Sequence, residues 1–163
     1  MSVDPTRISL RPVKPGDEPF LLEVYASTRS DELSVLPWND AQREVFIRMQ
    51  YNVQQGSYRM HYPNAEHQVI LLDERPVGRL IVVRGASEIL LADIAILPEH
   101  RGSGIGASLI RDLCAEAAAK GLPLLLQVFK SNPAARLYER LGFYRTGESP
   151  THFQMEWRSD KQS

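Results

Sequence analysis

The run Leu91-Ala-Asp-Ile-Ala-Ile-Leu-Pro-Glu-His-Arg-Gly-Ser-Gly-Ile-Gly106 changes character at Pro98. Before the proline, Glu88 to Leu97 is an almost unbroken apolar segment, the pattern of a buried strand. After it, Arg101-Gly-Ser-Gly-Ile-Gly106 turns directly into an amphipathic segment with apolar residues at Ile105, Leu109, Leu113 and Ala117. Asp112 and Glu116 mark a wetter face, and Lys120-Gly121 supplies a basic last turn and a C-cap. A strand feeding a glycine-rich turn and a helix N-terminus is suited to an anion. Unpaired N–H groups and the positive end of the helix dipole converge there, and glycine lets the ligand approach the backbone.

Three nucleotide-type patterns compete for these glycines. A P-loop requires Gly-Lys-Ser/Thr, and no such lysine follows Gly104 or Gly106. Gly102-x-Gly104-x-x-Ala107 matches the dinucleotide fingerprint in form, but that fingerprint wants an acid about 20 positions on, and Leu122 to Lys130 contains none. The third pattern is longer. Arg101-x-x-Gly104-x-Gly106, preceded by Ile96-x-Pro98, resembles the acyl-CoA-binding motif of the GNAT superfamily of N-acetyltransferases.

A second signature follows at Leu126-Gln-Val-Phe-Lys-Ser-Asn-Pro-Ala-Ala-Arg-Leu-Tyr-Glu-Arg-Leu-Gly-Phe143. It resembles the same superfamily's next strand, its short helix with Asn132 and Tyr138, and the Gly142-Phe143 that opens the following strand. Asn132 suits an N-cap, Pro133 a first helical turn and Gly142 a C-cap. The two signatures stand in the family's order over roughly residues 66–157.

The rest of the chain is compatible. Its 163 residues, 43% hydrophobic and 24% charged, suggest one domain with an ordinary core. A net charge of −1 gives no reason to expect nucleic acid or an anionic membrane as partner. No apolar run reaches the roughly 18 residues of a spanning helix. The N-terminal residues lack a secretion signal, and a lone Cys114 excludes an internal disulfide, so the expected location is cytoplasmic. The four histidines show no paired ligand spacing, so no metal is expected.

Outward from the central run, Arg7 to Val13 reads as a first strand. Asp17 is placed to cap a helix from Glu18 to Thr28 that buries Phe20, Leu21, Val24 and Tyr25. A loop is expected over Ser30 to Pro37. Asn39-x-x-Gln42 then approaches a capping box for a helix carrying Ala41, Val45, Phe46 and Met49 inward. Its other face holds Gln50, Gln54 and, if the helix survives Gly56, Tyr58. Gln68 to Leu72 and Pro76 to Arg84 form a hairpin about Asp73-Glu-Arg-Pro. Leu122 to Phe129 is apolar enough to be buried on both faces. Phe143 to Gly147 and His152 to Trp157 form a second hairpin. The resulting order, β-α-α-β-β-β-α-β-α-β-β, is an α/β (α+β) mixed and mostly antiparallel sheet with helices on both faces. The expectation is a single GNAT-like domain over residues 1–163, with acceptor-side helices over about 17–62 and an acyl-CoA-binding core over about 66–157.

The resemblance implies acetyl-CoA as co-substrate and direct transfer of the acetyl group to an amine of a small molecule or peptide. The amides of Gly102, Ser103, Gly104, Ile105, Gly106 and Ala107 would take the pyrophosphate, with Arg101 adding charge. Asn132 belongs to the second motif, and Arg136, with Lys130, would meet the 3′-phosphate. The pantetheine arm would lie along Ile94, Ala95 and Ile96. Tyr138 matches the tyrosine that protonates the leaving thiolate. Where some relatives carry a glutamate base, this chain has Gln127, which cannot take a proton. Asp93 is then either a base or acceptor contact, or a structural salt bridge. Cys114 and His100 read as a buried small residue and a loop residue. On the acceptor side the candidates are Glu32, Trp38, Gln50, Gln54 and Tyr58. A CoA-binding sensor without turnover is the alternative function, and the chain is expected to be a monomer or a homodimer.

Overall fold

A computed structural model describes residues 2–161. The elements are β1 (Ile8–Pro12), α1 (Glu18–Ser34), α2 (Asp40–His61), β2 (Glu66–Leu72), β3 (Arg75–Arg84), β4 (Ile89–Ile96), α3 (Ile105–Lys120), β5 (Leu124–Phe129), α4 (Ala134–Arg140), β6 (Tyr144–Glu148) and β7 (His152–Trp157). This is the expected order, and with seven strands and four α-helices it is the expected mixed α/β class. The chain divides into two compact units. One contains residues 6–81 and 93–101. The other contains the described residues of 1–5, 82–92 and 102–163. Strands β3 and β4 contribute to both.

In the first unit the strand order is β1-β2-β3-β4. β1 and β2 are antiparallel, from Ile8↔Leu72 to Pro12↔Gln68. The β2–β3 turn has Asp73 at φ 50° and Glu74 at φ 69°. Two positive φ values in a two-residue hairpin match the right-handed twist of the strands. Asp73 also holds the Arg7 guanidinium in an ion pair. Gly78 allows β3 and β4 to approach closely, since a Cβ there would collide with Ala95 O. Helices α1 and α2 share a core of Leu21, Tyr25, Leu33, Ile47 and Tyr51.

Three expectations are corrected in this unit. Helix α1 continues through the predicted loop to Ser34. Its late polar residues are satisfied in place: the hydroxyls of Ser27, Thr28, Ser30 and Ser34 donate to carbonyls three residues back. Asp17 makes no side-chain cap to α1. Its carboxylate instead accepts two bonds of 2.8 Å from Arg11 and one of 2.7 Å from Lys14 N–H. Helix α2 has the capping box, Asn39 Oδ1 accepting from Gln42 N–H at 2.8 Å and Gln42 Oε1 from Asn39 N–H at 2.9 Å. Its orientation differs from expectation. Ile47 and Tyr51 are buried, whereas Val45 and Met49 are 69% and 52% exposed and Ala41 is exposed too.

The Asp17 contacts carry a pH prediction. Arg11, followed by the Lys14 amide, holds the Asp17 carboxyl at about 2, below its ordinary 3.8. A carboxylate depressed on folding stabilises the folded state above its unfolded pKa, and that stability is lost as pH falls through the folded value. The decline therefore belongs between about pH 4 and pH 2. Arg11→Met should shrink the drop in urea midpoint between those two pH values. A drop as large as in the wild type would show that the pair contributes nothing.

In the second unit the strand order is β3-β4-β5-β7-β6. β4 and β5 are parallel, with pairs Ile89↔Leu124, Leu90↔Leu125 and, last, Leu91↔Leu126. β5 and β6 are both antiparallel to β7. Helix α3 buries Ile105, Leu109, Ile110, Leu113, Cys114 and Ala117, and Gly121 ends it at φ 65°. Arg84 holds Glu116 by bonds of 2.6 and 2.9 Å. β5 is not buried on both faces: Leu124, Leu126 and Val128 are buried, but Gln127 and Phe129 are exposed. Among the described residues no helix is long and apolar enough to cross a membrane.

Candidate active site

The glycine turn lies in the second unit with helix α3. Gly102 has φ 76° and Gly104, the N-cap of α3, φ 87°. Side chains strongly disfavour that left-handed region, so glycine is what lets the chain turn here. The first intrahelical bond is Ser108 N–H to Gly104 O at 3.0 Å. The amides of Ile105, Gly106 and Ala107 therefore have no carbonyl one turn back, which is the usual state of a helix start. A Cβ on Gly102 would meet nothing within 4 Å, so the turn borders open space. Val3 N–H donates to Ser103 O at 2.7 Å, and Ser2 lies beside Gly104. This geometry fits a phosphate group.

The second motif sits in the same unit. Asn132 Oδ1 accepts from Ala134 N–H at 2.9 Å, capping α4 from two residues before its first residue. Tyr138 is 8% exposed and its ring packs on Phe143 with centroids 5.7 Å apart. Arg136 is exposed on α4. Lys130 is committed to Glu148 in an ion pair and lies over the Phe153 ring. Cys114 is buried, and burial pushes its thiol up to about 11, which is inert at neutral pH.

The first unit holds the remaining candidates. Ile94, Ala95 and Ile96 end β4, and Ile96 O accepts from Arg101 Nε at 2.8 Å. The Arg101 guanidinium also reaches Ser27 Oγ at 3.4 Å, so its charge is anchored at the end of this strand. Asp93 is ion-paired with Arg79, the salt-bridge side of the alternative read from sequence. Helix α2 does survive Gly56, and Gln50, Gln54 and Tyr58 share one half-buried face. Gln54 is tied into the Arg79–Asp93 pair, its Oε1 accepting from Arg79 Nη2 at 2.6 Å. Glu32 is not in a loop but on α1, exposed and 3.4 Å from Arg29. Trp38 meets Phe46 at a tilt of 58°, centroids 5.1 Å apart, and packs on the α1–α2 core. The structure thus gathers Gln54, Tyr58 and Asp93, and leaves Glu32 and Trp38 outside that group.

Sequence reasoning missed two members, Arg79 and His67. Arg79 is only 4% exposed. The available signal was an arginine inside the apolar Val77–Val83 run, matching an aspartate inside the apolar run of β4, since buried charges occur in pairs. His67 stands where β2 begins, with its ring 6.0 Å from that of Tyr58. Among the described residues no group of three or more His, Cys, Asp or Glu could hold a metal ion.

The fold is one that solved acetyltransferases share. The N-acetyltransferase PaiA of Thermoplasma acidophilum, solved with coenzyme A, matches at a TM-score of 0.68 and 20% identity, covering 93% of this chain and 98% of that one. An acetyltransferase of Thermus thermophilus matches at 0.66 and 23%, covering 97% and 99%. The family model of the Acetyltransferase (GNAT) domain matches residues 63–145, just over half of the chain, and the chain belongs to that family. The [ribosomal protein bS18]-alanine N-acetyltransferase of Haemophilus influenzae is 40% identical over 68 residues, 41% of this chain. The matched stretch spans about half of that relative, 47% of its length.

Proposed function

We propose that this chain transfers the acetyl group of acetyl-CoA to a primary amine of a small molecule or peptide, by direct attack of the amine on the thioester. The observation that carries the reading is the left-handed Gly102–Gly104 turn opening α3 in a chain of the GNAT family. Residues 102–107 hold the pyrophosphate, the polar groups of Ile94 to Ile96 hold the pantetheine amides in the manner of an added strand, and Asn132 and Arg136 complete the donor site. The core of about 66–157 serves acyl-CoA and the helices of about 17–62 serve the acceptor. Tyr138 gives the departing thiolate its proton. The named activity of the Haemophilus relative makes a peptide with an N-terminal alanine the first acceptor to try.

The test is release of free thiol from acetyl-CoA with an alanine-initiated peptide, spermidine, kanamycin and single amino acids, each against hydrolysis alone. Acceptor-dependent release supports the reading. Binding of acetyl-CoA with no release for any acceptor leaves a sensor, and no binding at all removes the cofactor assignment. Direct attack also predicts that Cys114→Ala keeps its activity to within about twofold, because a buried neutral thiol is no nucleophile. An acetylated Cys114 peptide in mass spectrometry would replace direct attack with a covalent route.

A further inference from the structure

The first unit contains a polar cluster drawn from four elements: Gln54 and Tyr58 of α2, His67 of β2, Arg79 of β3 and Asp93 of β4. Arg79 is the buried charge at its base, and it spends Nε (2.7 Å) and Nη2 (2.6 Å) on one oxygen, Asp93 Oδ2. Nη2 also donates to Gln54 Oε1. The other Asp93 oxygen, Oδ1, makes no hydrogen bond among the described residues, and the Asp93 side chain is 25% exposed. The Tyr58 hydroxyl and the His67 ring are likewise half-buried and without hydrogen-bond partners among the described residues, their rings edge-to-face. Three polar groups are therefore left unspent beside an arginine that gives its Nε and Nη2 to Asp93 and Gln54. None of the three is sealed from solvent, so each is free to exchange water for a ligand's hydrogen bond.

Their chemistry fits an amine. A carboxylate oxygen and a phenol oxygen accept hydrogen bonds from an ammonium, and a neutral imidazole can take its proton. Tyr58 remains a neutral phenol, since burial and then Asp93 push it up to about 12. His67 is lowered below the usual histidine value by burial, then by Arg79 and Arg59, with Asp93 opposing. Tyr58 of α2 lies against its ring, and the charges acting on it are Arg59 of α2, Arg79 of β3 and Asp93 of β4.

We propose that His67 is the base that takes the proton from the acceptor's ammonium, with Tyr58 and Asp93 Oδ1 holding the amine and Arg79 and Gln54 as positioning residues for Asp93. This rests on the acetyltransferase reading above. The ammonium gives one proton to His67 and becomes a neutral amine. The nitrogen lone pair forms the N–C bond, and the C–S electrons leave on sulfur. The nitrogen sheds its second proton to solvent while sulfur gains one, so the products are an amide, free thiol and one net proton.

The experiment compares wild type with His67→Gln, using butylamine and acetyl-CoA, by the pH dependence of kcat/KM. The ionisation of butylamine is common to both proteins, so the ratio of the two profiles reads His67. The ratio should rise from near one at low pH to about 10²-fold above the histidine midpoint, with the acetyl-CoA-induced rise in Tm unchanged. A ratio flat with pH and within about twofold overturns the proposal. If butylamine turns over too slowly, the Cε1 proton of His67 decides by NMR titration. A midpoint below the usual ~6.5 that moves when butylamine is added supports the base, and an ordinary midpoint or no response to the amine overturns it. Arg79→Lys separates positioning from packing, because it should raise the butylamine KM while the acetyl-CoA KM and the acetyl-CoA-induced rise in Tm stay near wild type. Failure of acetyl-CoA to raise Tm in the wild type sinks the acetyltransferase reading itself, a result distinct from any outcome at His67.

Discussion

Tyr138→Phe should lower kcat by about 10²–10⁴-fold, the usual contribution of one proton-transfer group, and leave acetyl-CoA binding near wild type. The substitution is clean because of how the ring is held. Tyr138 is 8% exposed on α4 and packs against Phe143, and a phenylalanine preserves that contact while removing only the oxygen. Tyr138→Ala would be uninformative, since truncating a buried aromatic ring costs about 3–5 kcal/mol and would mix folding with chemistry. Without the hydroxyl, the thiolate must leave unprotonated or take its proton from water. The defect should therefore lie in kcat with a normal Tm shift by acetyl-CoA. Near-normal turnover with the best acceptor would reduce Tyr138 to a packing residue.

Elements were legible wherever local chemistry and periodicity agreed. The capping box at Asn39 and Gln42 and the glycines at 102, 104 and 121 each announce a local backbone arrangement, and the hairpin expected about Asp73-Glu-Arg-Pro narrows in the structure to a two-residue turn at Asp73-Glu74. What misled was the assumption that a helix buries its most apolar face. On α2 the inward residues are Ile47 and Tyr51 with Gln50, Gln54 and Tyr58 half-buried, while Val45, Met49 and Val53 face outward. The physical reason lies in the strands: Arg79 requires a polar partner, and Gln54 supplies it. A single-helix pattern has no access to a demand set by a residue 25 positions away. The end of α1 escaped for a related reason. Ser30 and Ser34 read as a loop, yet each returns its hydroxyl to its own helix and so removes the penalty that usually stops one there. Asp93 was visible as an anomaly, but its partner was not paired with it, because a strand pattern does not reveal which positions lie side by side.

The donor site has its own decisive substitution, and the backbone selects the position. Gly106→Val should abolish the stabilisation by acetyl-CoA while leaving the unliganded protein folded. Wild type at 100 times Kd gains about 2.7 kcal/mol, a rise in Tm of roughly 5–10 °C for a chain of this size. Gly104 is the less suitable choice. At φ 87° a β-branched residue is strongly strained, and its Cβ would also crowd Ser2. Loss of binding there would be confounded with loss of stability. Gly106 lies in the first turn of α3, outside the left-handed glycines, and is part-exposed. Valine is a better helix former than glycine, so the unliganded Tm should hold. Its side chain would nevertheless stand beside amides that a phosphate must reach closely. A wild-type shift in Gly106→Val would mean that the pyrophosphate does not rest on this turn. A lowered unliganded Tm with the shift intact would mean that the glycine serves packing and not the ligand.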